Sequence, residues 1–247
     1  MANKKGNVYF LADVHLHSAD LSTQRCFTTA LTWITQQNPS ALWLLGDIFN
    51  TWVGDDARAE QQLETVLNAV ATAAKQFPVY FMHGNRDFLV GTTLCQTLGI
   101  TLIPDYHLLK HATGQLLLLH GDAFCSGYYS VQQALRSPEW AEDFLQQPVA
   151  KRLAQARLLR DQSQARARPL QDLDLKRLYS FAHSLGASQI LHGHTHQPGY
   201  HRHQDIQRWS LGEWQQKGAI LAQLTPDSGR ISLLRFQPPG VCRVVLP

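Results

Sequence analysis

The sequence predicts an α/β fold in which buried sheets are covered by helices. Short, continuous apolar runs are typical of strands buried on both faces. Segments with helical spacing separate several of these runs, and five of the runs end abruptly in Asp, His or Asn. Because ligands in layered α/β folds collect at the carboxyl ends of strands, these polar ends also predict where a functional site lies.

The first half of the chain contains three predicted strands and two predicted helices. Residues 8–12 form the first strand, which runs directly into Asp13-Val14-His15. Residues 22–37 and 57–75 have apolar side chains near helical spacing, and Asn38-Pro39 ends the first of these helices. The other two strands are residues 41–45, which end in Gly46-Asp47, and residues 78–82, which lead into His83-Gly84-Asn85-Arg86-Asp87.

Two further apolar runs in the second half end in histidine-rich motifs. Residues 116–119 end in His120-Gly121-Asp122, and residues 189–191 end in His192-Gly193-His194-Thr195-His196. After Gln197, short β-like runs alternate with turns, which predicts a closing antiparallel portion of the fold.

Residues 128–185 are predicted to form a helical insertion between the fourth and fifth strands. Apolar side chains recur at helical intervals from Trp140 to Leu158, and basic residues lie among and after them. This pattern alone favours a helical hairpin that packs on the domain and has a solvated basic face. The alternative is a cap that covers a substrate and rests on an anionic membrane. We expect residues 1–247 to form a single domain that carries this insertion.

Composition narrows the class of protein. The 247 residues are 44% hydrophobic and 17% charged, and the formal charge of +3 is too modest to indicate a nucleic-acid partner. The four cysteines form no C-x-x-C pair, so we expect free thiols in a reducing compartment. No apolar stretch approaches the roughly 20 residues needed to span a bilayer, and the N-terminus does not resemble a signal peptide. We therefore expect a cytosolic protein, or one that lies on a membrane surface.

Seven side chains at the strand ends form a candidate metal-ligand set: Asp13, His15, Asp47, Asn85, His120, His192 and His194. Oxygen and imidazole ligands without cysteine suit Mn, Fe, Mg or Zn. Seven ligands are too many for one tetrahedral ion and enough for two ions with a bridging carboxylate, an arrangement that can clamp a phosphoryl group. Each residue alone has a structural explanation, such as a helix cap, but the joint arrangement favours a metal site.

Spacing gives a second reason to group these residues. Asp13 and His15 are two positions apart, as are His192 and His194. An extended backbone would therefore place both members of each pair on one side of the chain.

The motifs resemble, in order, the five sequence blocks of the calcineurin-like metallophosphoesterases. The blocks are Asp13-x-His15, Gly46-Asp47, Gly84-Asn85-x-Asp87, His120-Gly121-Asp122 and Gly193-His194-Thr195-His196. The resemblance implies a four-layer αββα sandwich, a dinuclear metal centre and hydrolysis of a phosphorus ester or anhydride. It also implies that Asp47 bridges two metal ions, that one ion is bound by Asp13, His15 and His194, and that the other is bound by Asn85, His120 and His192.

Arg86 narrows the resemblance, because most of that superfamily has His at this position. Together with Trp52-x-Gly54-Asp55-Asp56 and Phe88-Leu89-x-Gly91, it is similar to the UDP-2,3-diacylglucosamine diphosphatase family of lipid A synthesis. The similarity implies substrate contacts from Asn85, Arg86, Tyr128, Ser163, Arg166 and His192. The chain departs from the family pattern at Ser126-Gly127-Tyr128, which lacks an expected Asp, and at Ala167, where a basic residue is expected.

The reaction implied by this resemblance is metal-assisted hydrolysis of UDP-2,3-diacylglucosamine to UMP and 2,3-diacylglucosamine 1-phosphate (lipid X). Metal-bound hydroxide would attack the α-phosphorus, and the catalytic residues would be Asp47, Asn85, Arg86 and His120. Asp87 and Asp122 would orient the ligands. The implied cofactors are two Mn²⁺ ions. The implied location is peripheral, on the cytoplasmic face of the inner membrane, and a monomer is favoured.

Two other functions stay open from the sequence. The two departures favour a dinuclear phosphoesterase that acts on a soluble nucleotide-sugar or CDP-alcohol pyrophosphate, whereas Arg86 and the apolar side chains of the insertion count against it. A scaffold that keeps the fold without catalysis is disfavoured, because all seven candidate ligands are present.

Overall fold

The structure of the protein is a computed structural model that describes residues 6–125, 133–165, 173–214, 218–238 and 241–246. For residues 160–165 and 241–246 the description covers the backbone alone. Within these ranges, two β-sheets lie face to face between layers of helix.

The larger sheet has seven strands in the spatial order β12-β11-β10-β1-β2-β3-β4. Strands β1 to β4 run parallel to one another, and β10 to β12 complete the sheet as antiparallel neighbours. The strands are β1 (Val8–Leu11), β2 (Ala41–Leu45), β3 (Val79–Met82), β4 (Thr101–Ile103), β10 (Ala219–Thr225), β11 (Arg230–Gln237) and β12 (Val241–Leu246).

The smaller sheet has five strands in the spatial order β5-β6-β7-β9-β8. Strands β6, β7 and β9 are parallel, whereas β5 and β8 are antiparallel strands at the two edges. The strands are β5 (Tyr106–His111), β6 (Gly114–Leu119), β7 (Gln189–His192), β8 (Gly199–His203) and β9 (Ile206–Ser210).

Helices cover the outer faces of both sheets. The helices are α1 (Leu21–Gln36), α2 (Glu64–Ala74), α3 (Thr92–Leu98), α4 (Pro138–Leu145), α5 (Val149–Ala165) and α6 (Leu175–Ser184). The first three helices pack on the larger sheet, and α6 packs on the smaller sheet. The predicted four-layer αββα sandwich is therefore confirmed.

Alternation along the strands builds the layers, because successive strand side chains point to opposite faces. In β1, Tyr9 and Leu11 pack under the helices, whereas Phe10 packs between the two sheets. In β6, Leu118 lies between the sheets and Leu117 contacts the layer that contains α6. Continuous apolar strands are required because both of their faces are buried.

The insertion contains the two helices α4 and α5, which pack on the segment that follows β2. Phe144 of α4 lies in an apolar cluster with Val53 and Ala57, and Leu153 of α5 packs against the same cluster. Helix α6 also falls within the range 128–185, but its buried Leu178 packs on the smaller sheet as part of the sandwich. The limits of the insertion and the single-domain organisation remain predictions.

The sequence prediction differs from the fold at the start of one helix and at three elements that were not predicted. The helix predicted at 57–75 begins only at Glu64, since two short 3₁₀ turns precede it and Gln62 adopts a left-handed conformation with φ 54°. Helix α3 and the edge strands β4 and β5 were not predicted; α3 is short, and β5 lacks a continuous apolar run.

Among the described residues, Cys26, Cys95 and Cys125 form no disulfide. No described helix has both the length and the apolar character that crossing a bilayer would require.

Candidate metal centre

The polar strand ends from both sheets meet at one edge of the sandwich. Asp13 and Asp47 follow β1 and β2 of the larger sheet, and His120 and His194 follow β6 and β7 of the smaller sheet. The backbone N–H of His194 donates to the Asp13 carboxylate at 2.9 Å, and Nε2 of His120 lies 3.6 Å from Oδ1 of Asp47. The prediction that these residues converge on one edge is therefore supported by direct contacts between the sheets.

The backbone at this edge is strained. Five of the eight described non-glycine residues with positive φ lie here: Asp13, His15, Asp47, His194 and His196. Such conformations are costly for residues with a Cβ and cluster at functional sites. The extended backbone inferred for Asp13-x-His15 is therefore wrong, because both residues are left-handed, with φ of 53° and 56°.

Two groups of donors have the spacing of metal ligands. One ligand atom from each of Asp13, Asp47 and His120 lies within 4.8 Å of the others, and the same is true of Asp13, His15 and His196. All three side chains of the first group are buried. Asp13 belongs to both groups.

The contacts of His120 show that its donor set fits a cation. Its Nδ1 lies 2.9 Å from the Leu45 carbonyl oxygen, which can only accept, so Nδ1 carries a proton. In a neutral ring, Nε2 then presents a lone pair to Oδ1 of Asn85 at 3.2 Å and to Oδ1 of Asp47 at 3.6 Å. Three acceptors that face one another require a proton or a metal ion between them, as at sites for hard or borderline divalent cations.

The charge of the site supports the same conclusion. Burial raises the pKa of the Asp13 carboxyl to about 6, although His120 and His196 oppose the shift. Burial lowers the pKa of His120, but Asp47, Asp122 and Asp13 overcome this effect and raise it to about 9. These three carboxylates stabilise the protonated form of the His120 ring. They thereby supply negative charge that a divalent cation would neutralise.

Asn85 links the two sheets through its side-chain oxygen. Its Oδ1 lies 2.9 Å from Nδ1 of His194 and 3.2 Å from Nε2 of His120. Burial and the nearby His120 lower the pKa of His194 well below its usual value, so this ring is neutral and can act as a ligand. Asn85, His120 and His194 are therefore brought together as expected.

His196 was not predicted as part of the site. Its Nε2 lies 3.1 Å from Nε2 of His15 and 3.6 Å from Oδ1 of Asp13, and its Nδ1 lies 3.5 Å from the Glu213 carboxylate. The ring is only two positions beyond His194 in the same motif. The sequence signal that could have identified His196 is its position as a third histidine at two-residue spacing, after His192 and His194.

His192 lies next to the centre but outside both donor groups. Its Nδ1 lies 2.8 Å from the Gly193 carbonyl oxygen, and its Nε2 accepts from Nη1 of the buried Arg208 at 2.8 Å. Burial and the Arg208 cation lower the pKa of His192 to about 3. Both ring nitrogens thus contact protein atoms, and the role of His192 as a metal ligand remains a prediction.

Arg86 is held at the edge of the donor cluster. Its backbone N–H donates to Oδ1 of Asp47 at 2.9 Å, and its Nε lies 3.3 Å from Oδ2 of the same carboxylate. Nη1 donates to Oδ1 of Asn50 at 3.3 Å. The half-buried guanidinium therefore has a fixed position from which it can bind an anionic oxygen.

Asp87 organises the backbone beneath these side chains. Its fully buried carboxylate accepts from the N–H groups of Asp47, Ile48, Phe49 and Gly84, at 2.8–3.2 Å. Gly84 lies so close to Asp47 that a Cβ at this position would collide with the Asp47 carboxylate. Asp87 thus contacts the backbone of the loop that carries Asp47, and its role in orienting the metal ligands remains a prediction.

Arg136 fixes a second part of the same edge. Its Nη2 donates to Asp122 at 2.8 Å and to the Gly84 carbonyl at 2.9 Å, and its Nη1 lies 3.1 Å from Asp105. It therefore joins loops from both sheets at the point where the insertion begins. The local sequence gave no signal for this role, because the partners of Arg136 lie on loops that are distant in the chain.

Three of the predicted substrate contacts are not described at the level of side chains. Tyr128 and Arg166 lie outside the described residues. Ser163 lies in α5, where the description covers the backbone alone. These three assignments remain predictions.

Comparison with known proteins identifies the family. Residues 6–198 match the model of the calcineurin-like phosphoesterases. The chain belongs to this family. Its fold and its donor residues agree with that membership, and members of this phosphoesterase family are metal-dependent hydrolases. A divalent metal is thus implied for this calcineurin-like phosphoesterase, and the described donors fit one.

Curated relatives narrow the comparison. The chain is 35% identical over 231 residues to a UDP-2,3-diacylglucosamine hydrolase of Cellvibrio japonicus, which covers 87% of this chain and 94% of the relative. It is 34% identical over 223 residues to a protein of the same name from Bordetella pertussis, covering 85% and 86% of the two chains. The family expected from Arg86 and its neighbouring motifs is the one that these relatives carry in their names.

Solved structures support the fold. A dimetal phosphatase from Danio rerio has a TM-score of 0.57 and 12% identity, with 98% of this chain and 99% of that chain covered. The phosphoesterase Yfce from E. coli has a TM-score of 0.51 and 15% identity, with 97% of both chains covered. At this level of identity the likeness concerns the calcineurin-like phosphoesterase fold alone.

Proposed function

We propose that the protein hydrolyses the pyrophosphate of UDP-2,3-diacylglucosamine, giving UMP and 2,3-diacylglucosamine 1-phosphate. The proposal follows the names of the curated relatives, which align with most of this chain. The structural observation that carries it is the position of Arg86, whose guanidinium is held by Asp47 at the edge of the donor cluster. A pyrophosphate bound beside the carboxylates needs such a cation to offset its charge.

The proposed cofactors are two Mn²⁺ ions, held by Asp13, His15, Asp47, Asn85, His120, His192 and His194. The contacts among six of these residues support the assignment, and Asp47 is close to ligands from both sheets. When bound, such a pair of metals lowers the pKa of water and offsets charge on a transferring phosphoryl group.

The protein's own residues orient the reacting group. Arg86 can bind a non-bridging oxygen of the α-phosphate, because its guanidinium is positioned by the ion pair with Asp47 and by the hydrogen bond from Nη1 to Asn50, and no described hydrogen bond involves Nη2. Asn85 lies next to it in sequence, with Oδ1 directed at His120 and His194. Together these groups position the α-phosphorus beside the buried carboxylates.

The bond changes define the products. An oxygen from water forms a bond to the α-phosphorus while the protons of that water pass to the solvent, and the bond from this phosphorus to the bridging oxygen breaks. The bridging oxygen leaves with the β-phosphate of the acylated sugar. Because a sugar phosphate is a stable anion, the reaction does not require a protonated histidine at the position of Arg86.

We also propose that the insertion contacts the cytoplasmic face of the inner membrane. Leu145, Leu158 and Leu159 are 40–58% exposed on α4 and α5, and the basic Lys151 and Arg157 are exposed on the same helix pair. Exposed apolar side chains with neighbouring cations suit an anionic lipid surface. The acyl chains of the proposed substrate would reach the site from that surface.

The function is tested by giving purified, Mn²⁺-loaded protein either UDP-2,3-diacylglucosamine or its deacylated analogue and measuring UMP release. We expect a much higher kcat/KM for the acylated substrate. UMP release from the deacylated analogue alone would contradict the lipid substrate and support a soluble nucleotide-sugar pyrophosphatase instead.

A further inference from the structure

Arg152 is a buried cation in the insertion, and all three of its side-chain nitrogens donate hydrogen bonds. It lies on α5 and is 1% exposed, although arginine is almost never buried to this extent unless it is paired. Its Nε donates to the Gln147 carbonyl at 2.9 Å, and Nη1 donates to the Val53 carbonyl at 2.5 Å and to Oδ1 of Asp56 at 2.8 Å. Nη2 donates to the other oxygen of the Asp56 carboxylate.

The partners outside the insertion, Val53 and Asp56, lie in the segment between β2 and α2. Val53 and Asp56 flank Gly54, which has a φ of 125°. A Cβ at Gly54 would collide with Nη1 of Arg152 and with Leu145 of α4. The segment therefore forms the binding site of the Arg152 guanidinium, and it is the same segment that begins at Asp47.

Hydrogen bonds connect this segment to the loop that carries Asn85 and Arg86. The carboxylate of Asp55 accepts from Nε1 of Trp52 at 2.9 Å and from the N–H of Gly91 at 2.9 Å. The N–H of Trp52 donates to the carbonyl of Arg86 at 3.1 Å. Arg152 thus contacts a segment that is hydrogen-bonded to both ends of the loop after β3.

Apolar contacts alone would not fix the helices in one register. The ring of Trp140 on α4 lies 6.0 Å from that of Phe88, and Phe144 packs with Val53. Such contacts are non-directional. The paired N–H···O bonds from Arg152 to Asp56 have a defined geometry, so they select one position of the helices on the segment.

We propose that Arg152 is a positioning residue, which fixes α4 and α5 against the two loops that carry Asp47 and Asn85 and thereby lowers KM for the acylated substrate. This inference rests on the proposed function, because it assigns the insertion a part in binding the lipid substrate. Arg152 acts through the placement of the helices.

The test compares Arg152→Met and Asp56→Ala with a matched control. Arg58→Met is the control, because Arg58 also makes a two-point ion pair, to Glu64 at 2.7 and 2.9 Å, in the same part of the chain without a described contact to α4 or α5. We expect Arg152→Met to raise KM for UDP-2,3-diacylglucosamine about tenfold while kcat changes less than about twofold, and Arg58→Met to leave both parameters unchanged.

Asp56→Ala keeps the inference testable if Arg152→Met does not fold, because the Asp56 side chain is 60% exposed and its loss leaves no cavity. It should raise KM about threefold, and the double variant should be no worse than Arg152→Met, since both changes remove one interaction. A KM within about twofold of wild type in Arg152→Met would overturn the inference. A fall in kcat as large as the rise in KM, together with a lower midpoint of thermal unfolding, would also overturn it.

Hydrogen exchange separates this inference from the proposed function. Amides of α4 and α5 should exchange faster in Arg152→Met and Asp56→Ala than in wild type or Arg58→Met. If the wild-type protein fails to hydrolyse the lipid substrate, the proposed function and the effect on KM are both wrong. Unchanged exchange would show that Arg152 does not position the helices.

Discussion

The Arg86 guanidinium and the Asp47 carboxylate form a joined pair, with Nε of Arg86 3.3 Å from Oδ2 of Asp47 and the Arg86 N–H 2.9 Å from Oδ1. Asp47 is buried and also lies 3.6 Å from His120. The residue proposed to bind phosphate is thus attached to the residue proposed to bridge the metals. In the proposed reaction, the charge of the substrate and the charge of the metal ions would therefore be balanced around one carboxylate.

Replacement of Arg86 tests its proposed contact with the α-phosphate. Arg86→Ala should lower kcat/KM by about 10²–10³-fold, as removal of one preorganised donor to a developing anion does. Arg86→Lys should give an intermediate value, because it keeps the charge and loses the planar fork. The exposed Arg25→Ala is the control and should match wild type. An Arg86→Ala enzyme with wild-type kcat/KM would rule out the contact.

The metal ligands can be tested by activity and metal content together. Asp47→Ala and His120→Ala should each lower kcat by at least about 10³-fold. The reason is that a pair of metal ions stabilises the charge of the transition state by several kcal/mol. Elemental analysis should show less than two Mn²⁺ per chain. His183→Ala, at an exposed histidine on α6, should leave both values unchanged. A normal rate in either ligand variant would refute the dinuclear assignment.

Asp87→Asn tests the support beneath the metal centre. The amide has one oxygen where the carboxylate has two, so part of the set of four buried N–H donors loses its acceptor. We expect the free energy of unfolding to fall by roughly 1–3 kcal/mol. Manganese affinity should fall about 10- to 100-fold, as for other residues that orient ligands.

The control for this change is Asp205→Asn, at an exposed turn between β8 and β9. Urea unfolding and manganese titration of both variants give the comparison. If Asp87→Asn binds manganese as tightly as Asp205→Asn does, Asp87 does not orient the ligand loop.

The exposed leucines of α5 test the proposed membrane contact. Leu158→Ser with Leu159→Ser should weaken binding to vesicles of anionic phospholipid by at least about tenfold, because fully burying one leucine contributes about 1.5–3 kcal/mol. Leu21→Ser is the control, since Leu21 is 57% exposed on α1 and lies outside the insertion. Equal vesicle binding by the two proteins would place the membrane contact elsewhere.

The sequence predicts the convergence of the site better than its internal geometry. Asp47 and His120 could be placed because apolar strands that end in polar residues bring those residues to one sheet edge. The left-handed backbone of Asp13 and His15 could not be predicted, since it depends on contacts with other loops such as that between the Asp13 N–H and the Gly46 carbonyl.

Polar contacts between side chains that are far apart in the sequence could not be predicted either. Arg152 and Asp56 are 96 positions apart, and Arg208 and His192 come from neighbouring strands whose pairing no local pattern reveals. His196 belongs to the last sequence motif, but no local pattern assigns it to the site, because its contacts with His15 and Asp13 arise only when the two sheets meet. Local patterns predict elements, whereas these contacts depend on the assembled fold.

The most direct test of the proposed reaction is hydrolysis of UDP-2,3-diacylglucosamine in ¹⁸O-labelled water with Mn²⁺-loaded protein, followed by mass spectrometry of both products. Attack at the α-phosphorus predicts the label in UMP and unlabelled 2,3-diacylglucosamine 1-phosphate. Label in the sugar phosphate, or no cleavage of this substrate, would contradict the account.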